Sequence, residues 1–142
     1  MRRTLGLITI AATLAGAGGC VTSEYFASGE AAYPARATHA PITVYVPPDL
    51  PPEIRAALGD VLTRADLSTH AHEIGRIDGV GSPAAGWGAL LEDAKTKARR
   101  IGGDAISIVA WGRPVTDVDG RPTVGRSLLT TVLRDAALES PP

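Results

Sequence analysis

The feature that most constrains the fold of this 142-residue chain is a helix pattern in its second half. Ser82 is a suitable N-cap, Pro83 suits the first helical turn, and Gly102 is suited to end the helix. Asp93 and Lys97 are four residues apart, which predicts an ion pair across one turn. Apolar residues recur at the spacing of one helical face: Trp87, Leu90, Leu91, Ala94, Ala98 and Ile101. The sequence therefore predicts an amphipathic helix here.

A second helix and four extended segments complete the predicted domain. The extended segments are 42–46, 70–81, 104–112 and 124–136. The helix covers 50–66, where Ile54, Ala57, Leu58, Val61, Leu62 and Ala65 share one face. Asp119-Gly120 is a common hairpin pair, and the prolines that flank it predict a wide loop. We predict an α+β fold in the order β-α-β-α-β-β, a small mixed sheet with two amphipathic helices on one face.

The N-terminus has the features of an export signal. Arg2 and Arg3 precede a short apolar run that ends in small residues, and Cys20 follows directly. The run is thinner than the roughly 17–25 apolar residues that a spanning helix needs. Ala17-Gly18-Gly19-Cys20 resembles the lipobox of bacterial lipoproteins, in which a diacylglycerol is attached to the cysteine and the signal is cut before it. We predict that Cys20 carries a lipid.

These features divide the chain into four predicted parts. They are a lipoprotein signal peptide at 1–19, a lipid-anchored flexible tether at 20–40, an α+β domain at 41–137 and a tail at 138–142. Val21, and not Asp, follows the cysteine, which by resemblance to the lipoprotein sorting rule favours the outer membrane. The protein is therefore expected to be exported, anchored by its lipid and facing the periplasm.

The charge balance argues against a nucleic-acid partner. Lys and Arg total 14 against 15 Asp and Glu, and removal of Arg2 and Arg3 with the signal makes the mature chain more acidic. No basic stripe remains to bind phosphates. Cys20 is the only cysteine, so a disulfide within the chain is excluded, and stability has to come from helices packed on a sheet.

Two segments of the domain resemble a known family. EIGRI (73–77) and LLEDAKTKARRIGGDAISI (90–108) are similar to small bacterial envelope lipoproteins of the Rcs stress-sensor type and to YbjQ-type "heavy-metal-binding" domains. The positions on the helix-to-strand pattern of that family are Leu91, Lys95 (where Ala is usual), Arg99, Gly102, Gly103, Asp104 and Ala105. The resemblance implies a lipid-anchored α+β module that contacts other envelope components. This chain lacks the paired cysteines of the stress sensor, and the predicted helix at 50–66 is extra to the family pattern.

His70 and His72 are the candidate metal ligands. In a strand these two side chains share a face, and Glu73 follows them. A metal site needs a third and a fourth ligand, and the remaining histidine, His39, lies in the predicted tether. Solvated surface histidines are the simpler interpretation, so no metal or other cofactor is assigned.

Other motifs lack the partners that their chemistry needs. Gly79 and Gly81 echo a nucleotide-binding turn, but no acidic residue ends the next strand. Asp117 and Asp119 resemble the start of a calcium loop, but Leu128 stands where its bidentate Glu belongs. No nucleophile motif or paired catalytic carboxylates are present.

The functional expectation is therefore a lipid-anchored, non-enzymatic interaction or sensing module with an envelope protein as partner. The alternative is a small-ligand or metal-binding lipoprotein that uses His70 and His72.

Overall fold

The computed structural model describes residues 19–135, in which a six-stranded mixed sheet packs against two helices. The elements are β1 (Val21–Ala27), β2 (Thr43–Val46), α1 (Pro52–Leu58), β3 (Leu62–Thr63), β4 (Ala71–Gly81), α2 (Trp87–Arg100), β5 (Ala105–Gly112), β6 (Val115–Val118), β7 (Arg121–Val124) and β8 (Arg126–Asp135). The predicted tail and all of the predicted signal peptide except Gly19 lie outside the described residues. Neither helix within residues 19–135 has the length and hydropathy to span a bilayer.

The strand order of the sheet is β1-β4-β8-β5-β2-β3. The first four strands pair antiparallel, whereas β5, β2 and β3 pair parallel. The β6–β7 hairpin forms a separate two-stranded sheet between β5 and β8. The predicted order β-α-β-α-β-β is therefore wrong, because the domain contains more strands than predicted and is mostly sheet.

The largest correction concerns the predicted tether, because its first part is a strand of the sheet. Residues 21–27 pair with β4 along their whole length. Their side chains alternate: Val21 and Ser23 are buried and Tyr25 is half-buried, whereas Thr22 and Glu24 are exposed. This is the period of two that a half-buried strand requires. The first strand of the sheet therefore begins directly after Cys20.

The rest of the predicted tether packs on the domain as well. Arg36 forms an ion pair with the buried Asp104, and the Arg36 amide donates to the Arg99 carbonyl over 2.7 Å. The Arg134 guanidinium lies 4.6 Å from the centre of the Tyr33 ring. These contacts hold the chain between β1 and β2 against the C-terminal end of α2.

The predicted first helix is wrong in its length, because α1 ends at Leu58. Gly59 has a φ of 75°, a left-handed conformation that interrupts the helix. The chain then forms β3, which pairs parallel with β2, and a 3₁₀ turn at Arg64–Asp66. The apolar period predicted a helix through residue 65, and this prediction is wrong for the residues after Gly59.

The second helix is confirmed, with a later start than predicted. It begins at Trp87, and residues 83–84 form a turn before it. At its other end, the Gly103 amide donates to the Ala98 carbonyl and the Gly102 amide to the Arg99 carbonyl. Gly102 has a φ of 87°. This pair of bonds is a Schellman motif, so the predicted stop at Gly102 is confirmed.

Both helices contribute to one core on one face of the sheet. Fully buried side chains from the helices and strands form it: Ile54, Ile77, Leu90, Leu91, Ile106, Ile108, Leu128 and Val132. Glycines in β4 let α2 and the segment before it approach the sheet, since a Cβ on Gly79 would lie 3.3 Å from Leu90 Cδ2 and one on Gly81 3.0 Å from Ala85 Cβ. This packing role accounts for the glycines that echoed a nucleotide-binding turn.

Candidate functional site

Cys20 lies at the exposed edge of the domain, one residue before β1. Its backbone forms two hydrogen bonds with Ser82 after the end of β4. The Cys20 amide donates to Ser82 Oγ over 3.1 Å, and the Ser82 amide donates to the Cys20 carbonyl over 2.9 Å. Ser82 therefore fixes the cysteine to the sheet and does not cap α2 as predicted.

A groove of about 490 Å³ opens beside Cys20, between the sheet and the β6–β7 hairpin. Thr22 and Val80 line it from β1 and β4, on the sheet face opposite α2. Thr116, Val118 and Thr123 line it from the hairpin. Its wall is therefore mainly valine, proline and threonine side chains, with the cysteine at one end.

The hairpin lies beside this groove, and its conformation is set by the backbone angles of its turn and by a hydrogen bond at its base. Asp119 and Gly120 have φ angles of 53° and 77°, as a two-residue turn requires. The ladder reaches the turn itself, with Val118 opposite Arg121, so the predicted wide loop is wrong. At the base, the Gly125 amide donates to the Pro114 carbonyl over 2.9 Å.

Valines on and beside the hairpin are unusually exposed. Their exposed fractions are 64% for Val115, 53% for Val118, 50% for Val124 and 45% for Val80. Val115 and Val124 are paired and share one face of the hairpin, whereas Val118 lies on the face toward the groove. We call these four residues the valine rim; together they place apolar surface on both sides of the hairpin.

A buried polar cluster fixes β1 on α2 behind the groove. Ser23, Asp93 and Lys97 are all at most 3% exposed. The Ser23 hydroxyl donates to Asp93 Oδ2 and accepts from Lys97 Nζ, which also lies 3.3 Å from Asp93 Oδ2 and 3.3 Å from the Ser23 carbonyl oxygen. The predicted pair of Asp93 and Lys97 is therefore present, but it is buried.

A serine beside a lysine is one arrangement of a nucleophile and a base. Here the Lys97 ammonium is ion-paired with Asp93, and the Ser23 hydroxyl is closed off by β1 and α2. No substrate can reach it in this geometry. The cluster therefore joins the first strand to the helix, and its position explains why the chain directly after Cys20 is ordered.

His70 and His72 are not joined by further ligands. His70 lies in a turn, where its amide donates to Ser68 Oγ, and His72 is an exposed residue of β4. His72 Nε2 lies 3.3 Å from the Tyr33 hydroxyl. Among residues 19–135, no three His, Cys, Asp or Glu side chains come together as a metal site would require.

Sequence reasoning missed both the groove and the buried cluster. On a helical wheel, Lys97 lies beside Leu90 and Ile101, and this position on the apolar face indicates burial. The charge of Lys97 indicates the opposite, so its burial was not predicted. The groove depends on contacts between residues about 20, 80 and 116, which no local pattern reveals. Of the predicted site residues, only Cys20 lies at the groove.

Comparison with known proteins adds little. No protein-family model matches the sequence, and no curated protein matches it. The structure is similar to the crystal structure of a Francisella virulence factor, FvfA, with 13% sequence identity and a TM-score of 0.46. That similarity covers 78% of this chain and 96% of the other. A likeness this distant carries no argument about what this chain does.

Proposed function

We propose that this chain is an exported lipoprotein, anchored through Cys20 in the outer membrane and facing the periplasm, that acts as a non-enzymatic interaction or sensing module. The observation that carries the proposal is the position of Cys20. The residue that ends the lipobox-like sequence is exposed and lies directly before the first strand of the sheet. A cysteine so placed accepts a lipid without disturbing the core.

The anchor would be strong enough to hold the domain at the membrane. Each buried methylene of an acyl chain contributes about 0.8 kcal/mol, and stable anchoring needs more than one chain. Because β1 begins at Val21, no tether separates the lipid from the domain. The domain then rests directly against the membrane surface.

An interaction role is supported by the surface of the domain more than by any reactive cluster. Within the described residues, the serine, aspartate and lysine that approach one another are enclosed. In contrast, Phe26 on β1 and Leu62 on β3 are 43% and 46% exposed, on strands at the two edges of the sheet. Exposed apolar residues on sheet edges suit contact with a protein partner.

The proposal is tested by changing the thiol alone. Cys20→Ser keeps the shape of the side chain but removes the sulfur atom to which the lipid is attached. We expect this variant to leave the membrane fraction or to keep its signal segment, as seen in fractionation and intact mass. Thr22→Ser is the matched control, because it changes an exposed neighbour and keeps the thiol. A Cys20→Ser variant that stays processed and membrane-bound like the control would refute lipid anchoring.

A further inference from the structure

The valine rim and Cys20 lie at the same end of the domain. Cys20 and Val118 both line the groove, and Val80 lines it from β4. Val115 and Val124 lie on the far side of the same hairpin, outside the groove. The described residues leave 45–64% of each of these four side chains uncovered. A cluster of exposed apolar side chains of this kind marks a surface that contacts a neighbour from outside the domain.

The position of the cysteine identifies that neighbour. Lipid attached to Cys20 starts at the groove, and the first strand begins at the next residue. The two hydrogen bonds with Ser82 hold that attachment point against the end of β4. A domain held this way cannot move far from the bilayer, so the surface around Cys20 is the surface that meets lipid.

We infer that the valine rim is a membrane-contact surface that lies in the interfacial layer of the bilayer and sets the orientation of the domain. This inference rests on the proposed lipid anchor. It goes beyond the anchor, because it assigns a second contact with lipid to residues 60 to 104 positions away from Cys20 in the sequence.

The charges of the hairpin limit how deep it inserts. Asp117 and Asp119 lie at or near the tip, and the exposed Arg121 is paired with Val118 in the ladder. Burying these charges in hydrocarbon is costly. Valines in contact with lipid and charged residues at headgroup level are compatible only if the hairpin lies edge-on along the interface, where side chains on both of its faces reach lipid. The contact is therefore shallow.

A single fluorescent label tests the inference. Lipidation would block Cys20, the only native cysteine, so Val118→Cys would then carry the only free thiol. The protein is purified from the membrane fraction, labelled with an environment-sensitive dye and reconstituted in phosphatidylethanolamine and phosphatidylglycerol vesicles. We expect a blue-shifted emission that is quenched by lipids with a nitroxide near the headgroup.

The matched control is Leu62→Cys, which places the same label on an exposed apolar residue of β3. β3 lies five strands away from β1 in the sheet, about 24 Å at the usual spacing of strands. We expect its emission to stay that of a dye in water, with no quenching by the lipid nitroxides.

The labelling experiment distinguishes a wrong inference about the valine rim from a wrong proposal about the anchor. Two reactive thiols per chain in Val118→Cys would show that Cys20 is free, which overturns the anchor and the inference together. One reactive thiol with equal, water-like emission at both positions would overturn the inference alone. Shielding at position 118 in native membranes but not in pure lipid vesicles would assign the rim to a protein partner and would also overturn it.

Discussion

Two regions of the domain reverse the usual placement of side chains. One is the interface between β1 and α2, and the other is the β6–β7 hairpin. At the interface, the charged Asp93 and Lys97 are almost inaccessible to solvent. On the hairpin, Val115 and Val118 are more than half exposed. The buried charges satisfy each other and the Ser23 hydroxyl, so the domain itself explains them. The valines are left about half exposed by residues 19–135, so we attribute them to a contact outside the domain.

The largest expected effect comes from breaking the buried ion pair. Lys97→Met leaves the Asp93 carboxylate buried and unpaired, and we expect the free energy of unfolding to fall by about 3–5 kcal/mol. The double variant Asp93→Leu/Lys97→Met removes both charges and should recover most of that loss. Urea denaturation of the two variants measures both values.

The matched control for this pair is on the same helix. Lys95 Nζ lies 3.0 Å from Glu92 Oε1, and Glu92 is 64% exposed. Because surface pairs contribute little, Lys95→Met should change stability by less than about 1 kcal/mol. Equal losses for Lys97→Met and Lys95→Met would refute the structural role of the buried cluster.

A smaller loss is expected when the hydroxyl of the cluster is removed. Ser23→Ala takes one hydrogen-bond partner from Asp93 and one from Lys97, which should cost about 1–3 kcal/mol in the free energy of unfolding. Thr22→Ala, which changes the exposed neighbour on β1, should be close to neutral. If both variants have the stability of the native chain, β1 is not fixed to α2 in this way.

The hairpin should respond in the opposite manner. Val118→Ala and Val124→Ala shorten side chains that are already half exposed, so stability should fall by no more than about 0.8 kcal/mol. The same change at the fully buried Val132 loses two methyl groups from the core and should cost about 1.5 kcal/mol. Large losses at the hairpin, measured by thermal denaturation, would mean that its valines serve the fold.

The smallest expected effect is a dependence on pH at the other end of β1. The Ser28 hydroxyl donates to Glu73 Oε1 over 2.7 Å and, with Arg76, holds the pKa of Glu73 below its usual value of 4.5. The ionised form therefore stabilises the fold above that value, and the contribution disappears as the pH falls through the lowered pKa.

Since Glu73 is partly exposed, we expect this contribution to be at most about 0.5 kcal/mol. Its removal in Glu73→Gln should make the free energy of unfolding less sensitive to pH between about 3 and 5 than in the native chain. A steeper acid dependence in the variant would contradict the sign of the effect. Compared with the loss expected at the buried pair of Asp93 and Lys97, this small effect shows how much less a charge contributes to stability when water reaches it.

The parts of the fold that were predicted from the sequence are those with local causes. The α2 stripe repeats within one helix, Gly102 supplies the left-handed stop, and Asp119-Gly120 forms a turn from adjacent residues. Each of these signals lies within a few residues of the structure that it specifies, so no knowledge of distant contacts is needed.

The parts that were missed depend on distant partners. β1 was assigned to a tether because its inward positions include Ser23, whose burial is possible only beside Asp93 and Lys97, some 70 residues later. The groove also depends on residues that are distant in the sequence, because it forms where the hairpin meets β1 and β4. Cys20 was identified as the candidate site from its local motif, and its lipidation stays a prediction.

The most direct test of the account is the intact mass of the protein extracted from membranes of the cells that make it. We predict a chain that begins at Cys20, with an added mass that corresponds to a diacylglyceryl group, with or without a further acyl chain. An unmodified Cys20 thiol on a chain recovered from the soluble fraction would contradict the anchor, and with it the assignment of the valine rim to the membrane.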